Sequence, residues 1–170
     1  ASAGTSNFRA GVNAGNSIVS GGNYNVLVGD DAGTAITTGD NNVAFGYRAL
    51  YTEDTGNRSV AIGDFALTVQ NNDDSNYNTA VGYAAGTAVT TGINNTLIGG
   101  LAGQAITTGA YNEALGRSSL YTNTTGAYNV AIGSSSLQNN TTASNNTGVG
   151  YKSLYANTTG TDNVAVGASA

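Results

Sequence analysis

Ten glycines, each the anchor of a similar segment, recur through the whole chain: Gly11, Gly29, Gly46, Gly63, Gly82, Gly99, Gly116, Gly133, Gly150 and Gly167. Their spacings are 18, 17, 17 and 19 residues, then 17 five times. A unit this short cannot enclose a hydrophobic core of its own. It has to stack on its neighbours, and a short fixed period is the mark of a solenoid. The repeat spans residues 1–170 and makes them a single repeat domain with no linker.

Aligning the copies assigns each column a physical task. Four residues before the anchor stands Asn in nine of ten copies: Asn7, Asn25, Asn42, Asn78, Asn95, Asn112, Asn129, Asn146 and Asn163, with Ser59 the exception. An amide repeated once per coil reads as a structural ladder, bonded to its copies above and below. Val or Thr three before the anchor, mostly Ala two before it and Val, Ile, Leu or Phe one before it alternate with the period of two that marks a strand. Three residues after the anchor the column never exceeds Ser. One further on, the copies divide. Gly15, Gly33, Gly86 and Gly103 are followed three residues later by Ile18, Ile36, Val89 and Ile106, whereas Leu50, Leu120, Leu137 and Leu154 are followed by Glu53, Asn123, Asn140 and Asn157. Both positions are expected to serve one buried slot, filled once per coil. The copy at Gly63 has Leu67 plus Val69 and then two extra residues within Asn71 to Ser75. Thr-Thr-Gly corners, such as Thr107-Thr108-Gly109, close the coil, with the glycine expected at positive φ.

These columns predict an all-β parallel β-solenoid, or β-roll, of about ten 17-residue coils, with two short strands and two turns in each. At roughly 4.8 Å between parallel strands the rod is about 43 Å long. Large apolar groups are few: Leu, Ile, Val and Phe total 32 of 170 residues. So thin a core suggests further burial against other chains, and the small columns suit close approach in a homotrimer. Uncapped strand edges at both ends lead us to expect a piece of a longer fibre.

Composition excludes much chemistry. The chain has no His, Cys, Met, Trp or Pro, which removes His-based triads, thiol chemistry and the usual zinc sites. With five basic residues and a net charge of −5, nucleic acid is not an expected partner. No apolar run approaches the ~20 residues of a membrane-spanning helix, so membrane insertion is not expected either. No cofactor or metal is implied.

Carboxylates are the remaining candidate catalysts, but the adjacent pairs Asp30 with Asp31, Glu53 with Asp54 and Asp73 with Asp74 read as solvated turn acids. Asp73 and Asp74 lie in the insertion, where a protruding loop either recognises a ligand or is a tolerated extension. Glu113 replaces Val or Thr in a strand column, so that column is wet or Glu113 pairs with Arg117. Ten Tyr fall into three columns. Tyr47, Tyr83 and Tyr151 are candidates for stacking on sugar rings, the alternative being that such rings cover coil edges or pack between chains.

Two segments, Asn129-Val130-Ala131-Ile132-Gly133 and Ser59-Val60-Ala61-Ile62-Gly63, resemble the head repeats of trimeric autotransporter adhesins of the YadA type. The fuller unit from Gly150 to Gly160, Gly-Tyr-Lys-Ser-Leu-Tyr-Ala-Asn-Thr-Thr-Gly, is similar to repeats in phage tail-fibre proteins. The resemblance implies a trimeric, left-handed parallel β-roll in an extracellular setting, a virion tail fibre or a bacterial cell surface. The 17-residue unit departs from the adhesin pattern, and none of the 170 residues resembles its neck, coiled-coil stalk or membrane anchor. The expected function is structural and adhesive rather than enzymatic: a rigid segment that spaces or presents host-recognition elements, with a host-surface glycan or protein receptor as partner. The competing readings are a tailspike-like glycan-degrading enzyme and an ice-binding β-solenoid.

Overall fold

The computed structural model describes residues 4–170; the first three residues of the repeat domain lie outside the described part. Ten strands of three residues follow one another: β1 (Phe8–Ala10), β2 (Val26–Val28), β3 (Val43–Phe45), β4 (Val60–Ile62), β5 (Thr79–Val81), β6 (Thr96–Ile98), β7 (Glu113–Leu115), β8 (Val130–Ile132), β9 (Thr147–Val149) and β10 (Val164–Val166). They form one parallel sheet in chain order. The register advances by one repeat per step, with Val43, Ala44 and Phe45 opposite Val60, Ala61 and Ile62. The insertion leaves it intact, since Val60 still faces Thr79. The protein is an all-β parallel solenoid with about 17 residues per turn.

Each coil holds one strand, not the two that the columns predict. The reason lies in the backbone after the anchor. All ten residues two positions beyond it, from Asn13 to Ser169, are left-handed, as are all nine residues four positions beyond it, from Gly15 to Leu154. A third such column stands five before the anchor, from Ser6 to Asp162. Left-handed residues break the pleat, so this arc becomes a chain of turns. Its amides nevertheless reach the next coil. Gly33 and Ala35 donate to the carbonyls of Ala49 and Tyr51 at 2.9 and 3.2 Å, while Ile36 donates back to Gly33 at 3.1 Å.

The split column resolves as one shared slot, but the expectation of a single large group per coil fails in coils two and six, where two side chains fill it. Leu50, Leu67, Leu120 and Leu137 are fully buried, and so are Ile36, Val89 and Ile106. A Cβ at Gly33 would lie 2.7 Å from Leu27 Cδ2 and 2.9 Å from Ile36 Cδ1. Coils two and six therefore fill the slot from the strand and from the later position, with Leu27 and Ile36 or Leu97 and Ile106, and leave the middle position to Gly33 or Gly103. The coils with Leu50, Leu67, Leu120 and Leu137 fill it from that middle position and put Ala on the strand.

The corner glycines are needed for a different reason than the one anticipated. Gly39, Gly92 and Gly109 do not adopt positive φ; a Cβ on each would fall 2.4–2.5 Å from the carbonyl oxygen of the corner glycine one coil on. Close stacking, not a left-handed backbone, excludes side chains there.

The Asn column is buried and bonds in two directions. Its Oδ1 accepts the backbone N–H of the next coil's Asn, as from Asn42 to Asn25 at 2.9 Å and from Asn112 to Asn95 at 3.0 Å. Its Nδ2 donates to a corner carbonyl, as from Asn42 to Gly56 at 2.9 Å. Ser59 is too short to continue this row. Gln70 takes over, donating to Ser59 Oγ at 2.7 Å and accepting from Asn78 Nδ2 at 2.8 Å. Gln70 is the buried side chain of its coil at that level, while Val69 is 38% exposed. A second row, Asn123, Asn140 and Asn157, runs alongside, with amide-to-amide bonds of 3.0 and 3.1 Å.

Shared filling of the slot makes a specific prediction. Gly33→Leu alone should overpack against Leu27 and Ile36 and destabilise the rod by about 1–3 kcal/mol. Adding Leu27→Ala and Ile36→Asn, which converts the coil to the other type, should restore most of that loss in thermal unfolding.

Candidate functional site

The strand alternation sets which side chains are presented. The middle residue of each strand points inward, and the first and third point outward. The outward third column forms an apolar row down the rod: Phe45, Ile62, Leu115, Ile132 and Val166 are exposed, and Val28, Val81, Ile98 and Val149 partly so. Beside it runs the first column of Val and Thr, interrupted by Glu113, which is exposed between Thr96 and Val130 of the flanking strands. Glu113 forms no ion pair with Arg117 among the described residues; the ion pair found there joins Arg48 to Asp31 at 3.5 Å. Scattered apolar residues are ordinary on a surface, and a continuous row is a candidate interaction surface.

The small columns play no part on this surface. Ala44, Ala61, Ala80 and Ala131, like Ala32, Ala49, Ala66, Ala85 and Ala102, are fully buried inside their own chain. They set how closely the two walls of one coil approach, and they cannot mediate approach between chains.

A second presented surface carries the aromatic candidates. Tyr47 and Tyr83 flank Phe65 edge to face, with ring centroids 5.3 and 6.1 Å apart, so three successive coils share one aromatic run. Tyr151 lies four coils beyond Tyr83 in the same column. Each outer member belongs to a cluster absent from the tyrosine columns alone. The guanidinium of Arg48 sits 5.2 Å from the Tyr47 centroid and 5.1 Å from that of Tyr51. Lys152 Nζ sits 5.4 and 5.2 Å from Tyr151 and Tyr155. The signal was present in Gly46-Tyr47-Arg48-Ala49-Leu50-Tyr51 and Gly150-Tyr151-Lys152-Ser153-Leu154-Tyr155. It becomes visible only when left-handed backbone at the cation and at the Leu swings the two rings to either side of the charge. Another pair, Tyr111 and Tyr128, stacks face to face at 5.0 Å.

The insertion is stitched down rather than projecting. Asp73 Oδ1 accepts from Thr55 Oγ1 at 2.9 Å, Asp74 Oδ1 accepts from the Ser75 amide at 2.7 Å, and Arg58 bonds to Ser75 Oγ. Asn57 donates to the Asp74 carbonyl at 3.1 Å, so the loop continues the pairing between coils. Its acids stay exposed, and no group of three metal-ligating side chains occurs among the described residues.

Glu53 is not the solvated turn acid that its neighbour Asp54 suggested. It occupies the slot position filled elsewhere by Ile or Asn and is fully buried. Its oxygens accept from the Gly56 amide at 2.9 Å, Gln70 Nε2 at 2.8 Å and Asn76 Nδ2 at 2.9 Å. Burial raises its pKa above the ordinary 4.5, the Gln70, Gly56 and Asn72 hydrogen bonds oppose that rise, and the nearby Asp54 charge adds to it. A carboxyl so enclosed has no access to a substrate. Comparison with known protein families, with curated proteins and with solved structures finds no match to this chain.

Because the folded state holds the Glu53 proton more tightly than the unfolded chain, this group favours the fold most below pH 4.5. That contribution is lost as pH rises from 4.5 through the raised value. Glu53→Gln removes the titration; at least one of the donors that Glu53 accepts from must then face the new NH2, a cost that does not vary with pH. The variant should therefore gain stability relative to the parent as pH rises across that window, measured by urea unfolding at several pH values.

Proposed function

We propose that the chain is a structural and adhesive fibre segment that assembles as a homotrimer and spaces or presents host-recognition elements outside the cell. The observation that carries this reading is the apolar row from Val28 to Val166 on an otherwise uncovered sheet face. A rod with large apolar side chains repeated along one side gains by turning that side toward copies of itself. Three-fold packing aligns the same column from each chain in a closed assembly. The resemblance of the repeats to YadA-type heads and to phage tail-fibre repeats agrees with it and supports placement on a virion tail fibre or a bacterial surface.

The reading is not enzymatic. Asp73 and Asp74 are engaged by Thr55 and by the loop's own backbone, and Glu53 is sealed in the core. A flat ice-matching array is disfavoured because Phe45, Leu115 and Glu113 interrupt the regularity of the exposed face. Contacts with a host-surface glycan or protein receptor fall to the exposed tyrosines, where avidity across three chains strengthens weak single sites.

Light scattering tests the assembly. The parent should have the mass of three chains at micromolar concentration. Leu115→Asp with Ile132→Asp should reduce it to one chain while leaving the β-sheet circular dichroism intact, since both side chains face outward. A parent of monomeric mass would overturn the trimer.

A further inference from the structure

The two clusters of tyrosine and cation share a geometry but differ in their charge balance. In each, a cation on left-handed backbone two residues past the anchor lies between a Tyr one residue past it and a Tyr five past it, with all four distances between 5.1 and 5.4 Å. Because the Arg48 cluster sits between complete coils, the arrangement belongs to the sequence motif itself. What differs is the flanking coil. One coil before Arg48 the equivalent residue is Asp31, which pairs with the guanidinium at 3.5 Å. One coil before Lys152 the equivalent residue is Ser135, and one coil after it is Ser169. Lys152 has no carboxylate partner among the described residues.

The rest of the molecule narrows what this cation accepts. Eight of the ten carboxylates lie between Asp30 and Asp74, leaving Glu113, on the outward sheet face, and Asp162, in the left-handed column before the anchor. A long polyanion along the rod would be repelled by the acidic half. A small ligand with one negative charge would not. Lys152, Tyr155 and Ser169 line one hollow beside the exposed Tyr151, so the tyrosine and serine hydroxyls can serve as polar partners, and the tyrosine faces turned away from the cation suit the C–H face of a sugar.

We propose that Tyr151, Lys152 and Tyr155 form a binding site for a carboxylate-bearing sugar unit, with Lys152 pairing its carboxylate and the tyrosines packing on its ring. The corresponding site at Tyr47, Arg48 and Tyr51 is held closed by Asp31. This deepens the reading of the rod as a glycan-contacting segment. The site lies within one chain, so it does not depend on the trimer.

The test is a titration of the 15N-labelled parent with glucuronic acid, using glucose as the neutral control, followed by amide chemical shifts. Glucuronate should shift the amides of residues 151–155 saturably, and added salt should weaken the effect. Lys152→Gln should reduce affinity about tenfold, as expected for loss of one charge-assisted contact, and Lys152→Arg should retain it. Asp31→Asn should open the second site and bring saturable shifts at residues 47–51. Shifts with glucuronate no larger than with glucose, or unchanged by Lys152→Gln, would overturn the proposal. Equal saturable shifts from both sugars would overturn the charge selectivity while leaving glycan contact standing. Absence of shifts from either would remove both, with the mass measurement still deciding the trimer.

Discussion

Hydrogen bonding from each coil to the next is the constraint on which everything else in this rod depends. A 17-residue loop of chain is too small to shield its backbone, so nearly every amide must find a partner one repeat away. The strand ladder does this on one wall. The turn arc does it by alternating bonds to the next coil with bonds three residues back, and the Asn column joins the two by satisfying a backbone amide above and a corner carbonyl beside it. Each such bond contributes about 1 kcal/mol net, but a buried amide left without one costs more. At Ser59 the side-chain row is bridged by Gln70, recruited from another column, which bonds to both Ser59 and Asn78.

This constraint explains features that would be defects in a compact domain. Twenty-five non-glycine residues with left-handed backbone are strained, at about 1 kcal/mol or more apiece. They recur because the arc closes only if the chain reverses at the same three positions in every coil. Leu50 and Leu120 accept that strain in exchange for full burial, and Gly33 and Gly103 avoid it where the volume is already taken by Leu27 and Ile36 or Leu97 and Ile106. Stacking at van der Waals distance along the axis fixes small residues inside each coil. That leaves the third residue of each strand, outside the wall, as the regular place for large apolar groups on the sheet.

The period, the Asn column, the parallel sheet and the exchange between the two positions after the anchor were legible, because each rests on a pattern that nearly every copy repeats; that Leu27 and Leu97 join in from the strand was not. The number of strands was not. A left-handed backbone at Arg48, Phe65 or Lys152 leaves no mark in the residue type. Nor was the position of Glu53, since its column holds Ile in some coils and Asn in others and nothing local distinguishes a buried acid from a solvated one. The tyrosine columns were visible from spacing, but their cations were not, because a ring at one position past the anchor and a ring at five meet only after two intervening reversals.

The sequence by itself determined that this chain is a stack of equivalent coils. Close repetition forces closely equivalent environments, and a unit that cannot bury itself must bury against its copy. Only the tertiary structure decided which face of each column is inside. It placed the strand alanines, with Leu27 and Leu97, within the coil and the bulky third residues of the strands outside, reversing the surface through which the chain is proposed to meet its partners. The physical reason is that a three-residue strand with period two offers two possible orientations, and the choice between them is made by packing across the coil rather than by anything within the strand.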